Sequence, residues 1–129
     1  MHEWALAESV IFSTVKFAKE KGMEVKEVVI HLGELQQIDK EVFELALKEI
    51  MKSAGLEITF KFKREKAAFK CKRCGKEWGF GEENLDEREK EAVHFIPETV
   101  HTFIKCPECG STDFVIKRGR GVWISIEGE

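Results

Sequence analysis

Long apolar runs are missing from this chain. The longest unbroken stretches, such as Val28-Val29-Ile30, are far too short to cross a bilayer, so no membrane span is expected. A basic region followed by an apolar run is also lacking at the N-terminus, so nothing reads as a secretory signal and a cytosolic location is expected. Positive charge is not in excess: 21 Lys and Arg stand against 24 Asp and Glu, a net charge of -3, which argues against a general nucleic-acid binder. No G-x-S-x-G, P-loop or H-E-x-x-H occurs, so no enzyme class is indicated. Tyrosine is absent as well, and that absence supports no physical reading. What remains is 129 residues with 43% hydrophobic and 35% charged content, enough for one compact domain or two small ones.

Periodicity predicts a helix over about 4 to 21, with Ala7, Val10, Ile11, Thr14 and Ala18 on one face and Gly22 as its C-terminal glycine. A strand is expected from about 25 to 32, breaking at Gly33. Asp39 is placed to cap a second helix with the stripe Val42, Phe43, Ala46, Leu47 and Ile50, ended by Gly55. In LEITFKFK the residues Leu56, Ile58, Phe60 and Phe62 alternate with Glu57, Thr59, Lys61 and Lys63, the pattern of a half-buried strand. The terminal GVWISIEGE repeats it with Val122, Ile124 and Ile126 and needs a sheet to join. The expected architecture is therefore a two-layer α/β (or α+β) domain, a small sheet with two helices, built from residues 1-68 together with 115-129. Residues 69-114 form an inserted second domain.

That insertion holds the most specific signal, Cys71-Lys-Arg-Cys74-Gly75 and Cys106-Pro-Glu-Cys109-Gly110. Each C-x-x-C lets two sulfurs converge on one ion, the following glycine lets the backbone turn back toward them, and two such knuckles complete a tetrahedral shell. Zn²⁺ is the expected ion. Four thiolates leave no open coordination position, so the site is structural and not hydrolytic. A redox C-x-x-C is the weaker reading, since one pair would suffice; a deaminase zinc site is discarded because the H-x-E companion is missing. The 31 residues from 75 to 105 are about twice what a compact zinc ribbon needs. They contain Trp78 and Phe80 in alternation, a short helical stretch LDEREKEA, and VHFIPETVHTF. In the last of these, His94 is read as a loop residue ahead of Pro97, and His101 as one position of an alternating strand.

The opening MHEW raises a second metal site. A free α-amine at Met1, the deprotonated amide of His2 and its imidazole Nδ1 can close adjoining chelate rings, and nearly coplanar nitrogen donors favour Ni²⁺ or Cu²⁺ over zinc. Histidine in second place leaves one planar position for Glu3 or a distant side chain. Such an incomplete site suits a carrier that yields its ion. A histidine after the initiator methionine also arises by chance in about one chain in forty. His94 is the candidate for completing the plane; a solvated loop histidine is the plainer alternative. His31, read as an edge or partly exposed strand residue, is assigned no role.

With these features together, MHEWAL, HLGEL, the amphipathic second helix, two ordered C-x-x-C pairs and a terminal strand after RGRG, the chain resembles the HypA family, nickel metallochaperones of nickel–iron hydrogenase maturation. The resemblance spans essentially the whole sequence, and the long spacer looks like the archaeal variant. It implies Ni²⁺ held transiently by Met1, His2 and Glu3, structural Zn²⁺ on Cys71, Cys74, Cys106 and Cys109, and delivery with the GTPase HypB to the hydrogenase large-subunit precursor. A homodimer is one possible assembly. The competing reading is a nucleic-acid-binding zinc ribbon using Lys117-Arg118-Gly119-Arg120-Gly121 against phosphate. Between 69 and 114, however, seven Lys and Arg face ten Asp and Glu, and thiolates add negative charge.

Overall fold

The computed structural model describes residues 3–36, 38–81 and 84–128, with the backbone alone for 127 and 128. The chain forms two compact units. The first comprises Met1–His31, Ile38–Lys63 and Trp123–Glu129, the second Leu32–Gln37 and Arg64–Val122.

In the first unit, helix α1 (Glu3–Lys21) buries Ala7, Val10, Ile11 and Thr14 and leaves Ala18 half-buried. Thr14 is a buried hydroxyl that stays satisfied because its Oγ1 donates to the Val10 carbonyl one turn back, at 2.8 Å. Gly22, at φ 63°, ends the helix. Helix α2 (Lys40–Ala54) starts at Asp39, whose side chain accepts from the Val42 amide, and stops at Gly55 in the left-handed region. Its buried face is Phe43, Ala46 and Leu47, with Val42 and Ile50 at the margin. Strands β1 (Val25–Gly33), β2 (Thr59–Glu65) and β6 (Val122–Gly128) form a sheet in the order β2-β1-β6. Strand β2 begins later than the alternation suggests because the Leu56 amide is used to close α2, donating to Met51 O at 2.9 Å. Because β1 is the central strand, His31 is not an edge residue; of the two alternatives it is the partly exposed one, half-buried in the sheet.

The second unit is built on an antiparallel sheet, β4 (Glu77–Gly79), β3 (Ala68–Cys71) and β5 (Phe114–Arg118), with β3 in the middle. Residues 115 to 122, expected with the N-terminal domain, belong here because Val115, Ile116 and Arg118 pair with Lys70, Phe69 and Ala68. The chain re-enters the first unit at Trp123. Helix α3 (Glu87–Phe95) opens with a reciprocal capping box: Asp86 accepts from the Glu89 amide, and Glu89 accepts from the Asp86 amide. A 3-10 turn (Pro97–Thr99) leads into the short helix α4 (Val100–Phe103). The core is Leu35, Ala67, Phe69, Leu85, Val93, Val100 and Phe114, flanked by Trp78, Phe80, Phe103, Ile104 and Ile116.

Two expectations in VHFIPETVHTF are corrected. His94 lies in the last turn of α3, not in a loop, since the helix closes with the Ile96 amide on Ala92 O at 2.8 Å before Pro97 is reached. His101 lies in α4, not in a strand: Pro97 starts a turn instead of breaking one, and the Ile104 amide reaches back to Val100 O.

Within the second unit three chain segments cross closely. The Gly33 amide donates to Gly121 O at 2.8 Å, the Leu35 amide to Gly119 O at 2.9 Å and the Glu34 amide to Glu65 O at 2.9 Å. Two carboxylates lock the crossing: Glu34 accepts from the Ala67 amide and Glu65 from the Gly119 amide. A Cβ on Gly33 would stand 2.4 Å from Gly119 O, and one on Gly119 (φ 90°) 2.4 Å from Ala67 Cα. These contacts explain Gly33 of HLGEL and Gly119 of RGRG.

Candidate metal centre

Cys71 is the last residue of β3 and pairs with Phe114, the first of β5. The Lys72 amide adds a bond to Asp113 O at 2.9 Å. Because the second knuckle immediately precedes β5, this pairing carries both C-x-x-C turns to the same end of the sheet. Each turn closes on itself: the Gly75 amide donates to Cys71 O (3.1 Å), and the Gly110 amide to Cys106 O (2.9 Å). Both glycines sit at positive φ, 80° and 75°, where a side chain would be strained.

All four Sγ atoms lie within 4.8 Å of one another. Cys71 Sγ is 3.6 Å from Cys109 Sγ, and Cys74 Sγ is 3.5 Å from Cys106 Sγ. Zn–S bonds of about 2.3 Å in a tetrahedron place sulfurs roughly 3.8 Å apart, so the donor set fits a thiolate-bound metal. Cys71 and Cys106 are buried; Cys74 and Cys109 face solvent. The Arg73 and Cys74 amides point at Cys71 Sγ at 3.4 and 3.5 Å. That donation, from Cys74 first, lowers the Cys71 thiol to about 7 despite burial. Cys74 moves the other way, to about 12: the Lys76 amide pulls it down, but burial and the protons shared with Cys106 and Cys71 outweigh that pull. Cys106 is lowered, its burial overcome by the Cys109 and Glu108 amides. Cys109 is raised, burial and the proton shared with Cys71 overcoming the Ser111 amide. Backbone N–H groups aimed at sulfur are the donors a bound thiolate requires.

The remaining expected site residues are scattered. Met1 and His2, on which the MHEW reading falls, lie outside the described residues. Glu3 opens α1, and its Oε1 accepts from the Asp39 amide at 3.2 Å, which ties the first turn of α1 to the start of α2. His94 Nδ1 is 3.0 Å from Leu35 O. A carbonyl only accepts, so in this contact Nδ1 is the donor. His101 lies against the Phe114 ring at 4.3 Å. The basic run is drawn into ion pairs, Lys117 with Glu77 at 2.9 Å and Arg120 with Glu98, so two of its three cations have intramolecular carboxylates. Sequence reasoning passed over one arrangement: His31 stacks on Trp123, with centroids 3.6 Å apart and planes 3° from parallel. Strand parity puts both residues on one face, but only the strand order makes them neighbours.

Fold and site together define a small α/β protein carrying a zinc-ribbon-like module whose four cysteines could hold one metal ion. No helix among the described residues is long and apolar enough to cross a membrane. The family model described as hydrogenase/urease nickel incorporation, metallochaperone, hypA matches residues 1–127. The hydrogenase maturation factor HypA of Pyrococcus horikoshii is 47% identical over 131 residues, covering 97% of this chain and 93% of that protein. The HypA of Thermococcus sibiricus is 45% identical over 136 residues, covering 100% and 99%. Among solved structures, the solution structure of the Ni metallochaperone HypA from Helicobacter pylori shares the fold, with TM-score 0.65 and 21% identity over 99% of this chain and 97% of that one. The chain belongs to the HypA family, one of nickel-incorporating metallochaperones in hydrogenase maturation and not of enzymes.

Proposed function

We propose that this protein carries Ni²⁺ at its N-terminus, through the Met1 amine, the amide and imidazole of His2 and the neighbouring Glu3. In the cytoplasm it would yield that ion, together with the GTPase HypB, to the precursor of the nickel–iron hydrogenase large subunit. The observation that carries this reading is the family match from residue 1 to 127 on a chain beginning Met-His-Glu. Amine, amide and imidazole nitrogens suit the planar geometry that Ni²⁺ prefers. In the same proposal Cys71, Cys74, Cys106 and Cys109 hold Zn²⁺, whose bound thiolates would order the second unit and leave nickel chemistry to the N-terminus. GTP hydrolysis belongs to the partner.

Nickel titration of untagged zinc-loaded protein, of His2→Ala and of a form with residues added ahead of Met1 tests the reading. Tight nickel binding should disappear in both variants while zinc is retained; binding equal to wild type would refute it. His94 is proposed as an additional nickel ligand, for the planar position that the Met1 amine and the amide and imidazole of His2 leave open. A His94→Ala protein with an unchanged nickel spectrum and affinity would remove His94 from the set.

A further inference from the structure

Strand β2 is one edge of the first unit's sheet, since the strand order is β2-β1-β6. The Glu65 carbonyl accepts from the amide of Glu34, the residue directly after β1, so Glu65 turns its backbone groups toward that side. Backbone direction alternates along a strand, which turns the N–H and C=O groups of Phe60 and Phe62 outward, away from β1. Natural edges are commonly guarded by proline or by a charge on the core side of the strand. Residues 56 to 65 contain neither proline nor glycine, and the positions that alternate toward α2, Ile58, Phe60 and Phe62, are all apolar. These three remain half-buried, whereas Val28 and Ile30 of the neighbouring β1 are fully buried. They line an open depression of about 210 Å³ against Leu47 and Met51 of α2.

We propose that β2 pairs antiparallel with the β2 of a second copy of this chain, across a two-fold axis at Phe60, joining two three-stranded sheets into one. Such an axis sets each residue before Phe60 opposite the one equally far after it. Phe60 and its counterpart exchange two outward N–H···O bonds, and Ile58 faces Phe62 on the apolar side, which lengthens β2 by Glu57 and Ile58. The charges select this occupant and this register. On the other side Glu57 faces Lys63 twice; both are exposed, and among the described residues neither has an ion-pair partner in its own chain. Lys61, already paired with Glu27 at 3.1 Å, faces the neutral Thr59. Neighbouring registers lose this match. Centring on Lys61 sets lysine against lysine and Glu57 against Glu65, and centring on Phe62 sets Lys61 against Lys63 twice. Centring on Thr59 would bring Gly55, the C-cap of α2, opposite Lys63 and stop the pairing there.

The test is sedimentation equilibrium of the zinc-loaded full chain, with amide hydrogen exchange followed by NMR. Average mass should rise reversibly from one chain toward two with concentration, and the Phe60 and Phe62 amides should exchange more slowly as it does. Lys63→Glu and Glu57→Lys each set like charges opposite one another at two places, and each should weaken the dimer by roughly tenfold at unchanged zinc content. Mixed in equal amounts, the two variants should associate about as tightly as wild type, because their heterodimer restores both opposite-charge pairs. A protein that stays monomeric up to about 1 mM would overturn the proposal. So would variants that each dimerise like wild type, or a mixture that regains nothing. Exchange at Phe60 and Phe62 that ignores concentration would overturn it too, placing any dimer contact on another surface.

Discussion

Replacing Gly33 by alanine probes the crossing of HLGEL and RGRG. Gly33 has no positive φ, so the cost is steric alone: its Cβ would meet Gly119 O at 2.4 Å and Gly121 O at 2.6 Å, both backbone atoms that no rotamer change can move. Seating a methyl group at ordinary contact requires the segments to part by about 1 Å. That separation breaks or stretches the bonds from the Gly33 amide to Gly121 O and from the Leu35 amide to Gly119 O. Two backbone bonds at about 1 kcal/mol each, plus about 1–3 kcal/mol of overpacking, give a loss of about 3–5 kcal/mol, a large fraction of the ~5–15 kcal/mol typical of a native domain. Gly121→Ala is the control, because a Cβ there stands 3.6 Å from Gln36 Oε1, an ordinary distance. It should cost less than about 1 kcal/mol. Guanidinium unfolding of the zinc-loaded proteins measures both, and a Gly33→Ala protein within about 1 kcal/mol of the control would refute the steric reasoning.

Phe69 is fully buried among Trp78, Phe80 and Phe114, two residues before the first zinc-type cysteine, so Phe69→Ala should cost about 3–5 kcal/mol and speed metal loss to a chelator. Retention kinetics equal to wild type would separate that core from the metal centre. Asp86→Ala removes the capping box of α3 and should cost about 1 kcal/mol in the same unfolding assay, with Asp86→Asn recovering most of it. Arg120 holds the Glu98 carboxyl below its ordinary 4.5, chiefly by hydrogen bonding. The pair therefore stabilises the fold above that value and fades as pH falls below it. Both groups are about half exposed, so Arg120→Ala should cost under about 1 kcal/mol at neutral pH and nothing resolvable in strong acid. A difference that persists undiminished at low pH would point to packing by the arginine stem instead.

Most of the first unit was legible because its signals are local. Asp39, the Phe43-Ala46-Leu47 stripe and Gly55 specify α2 without reference to anything distant, and the parity of β1, β2 and β6 is fixed by alternation. The thiolate centre was legible for a similar reason: a C-x-x-C followed by glycine is complete as a local turn, and only the meeting of two such turns needs the sheet. The failures fall where short patterns serve two periods. VHTFI alternates as a strand does, yet Val100 to Ile104 is also one helical repeat, and the burial of Val100 beside Phe114 decided for the helix. A proline after a short helical stretch suggests a loop for His94, although a first helical position suits the fixed φ and missing N–H of Pro97.

Tertiary pairing accounts for the rest. The boundary of the second unit is set by Val115 and Ile116 adding to β3, a choice that the composition of FVIKR leaves open. The glycine-rich crossing shows the same limit: Gly33 and Gly119 each read as a local punctuation mark, and each is required by a backbone far away in sequence. For His31 and Trp123 the gap is strand order. Parity assigns both to one face of a sheet, but the 3.6 Å stack exists only because β6 runs beside β1 with no strand between them. A motif read from the chain thus identifies chemistry wherever the ligands are neighbours in sequence. Pairs assembled from separate strands, such as His31 with Trp123, become readable only once the order of those strands is known.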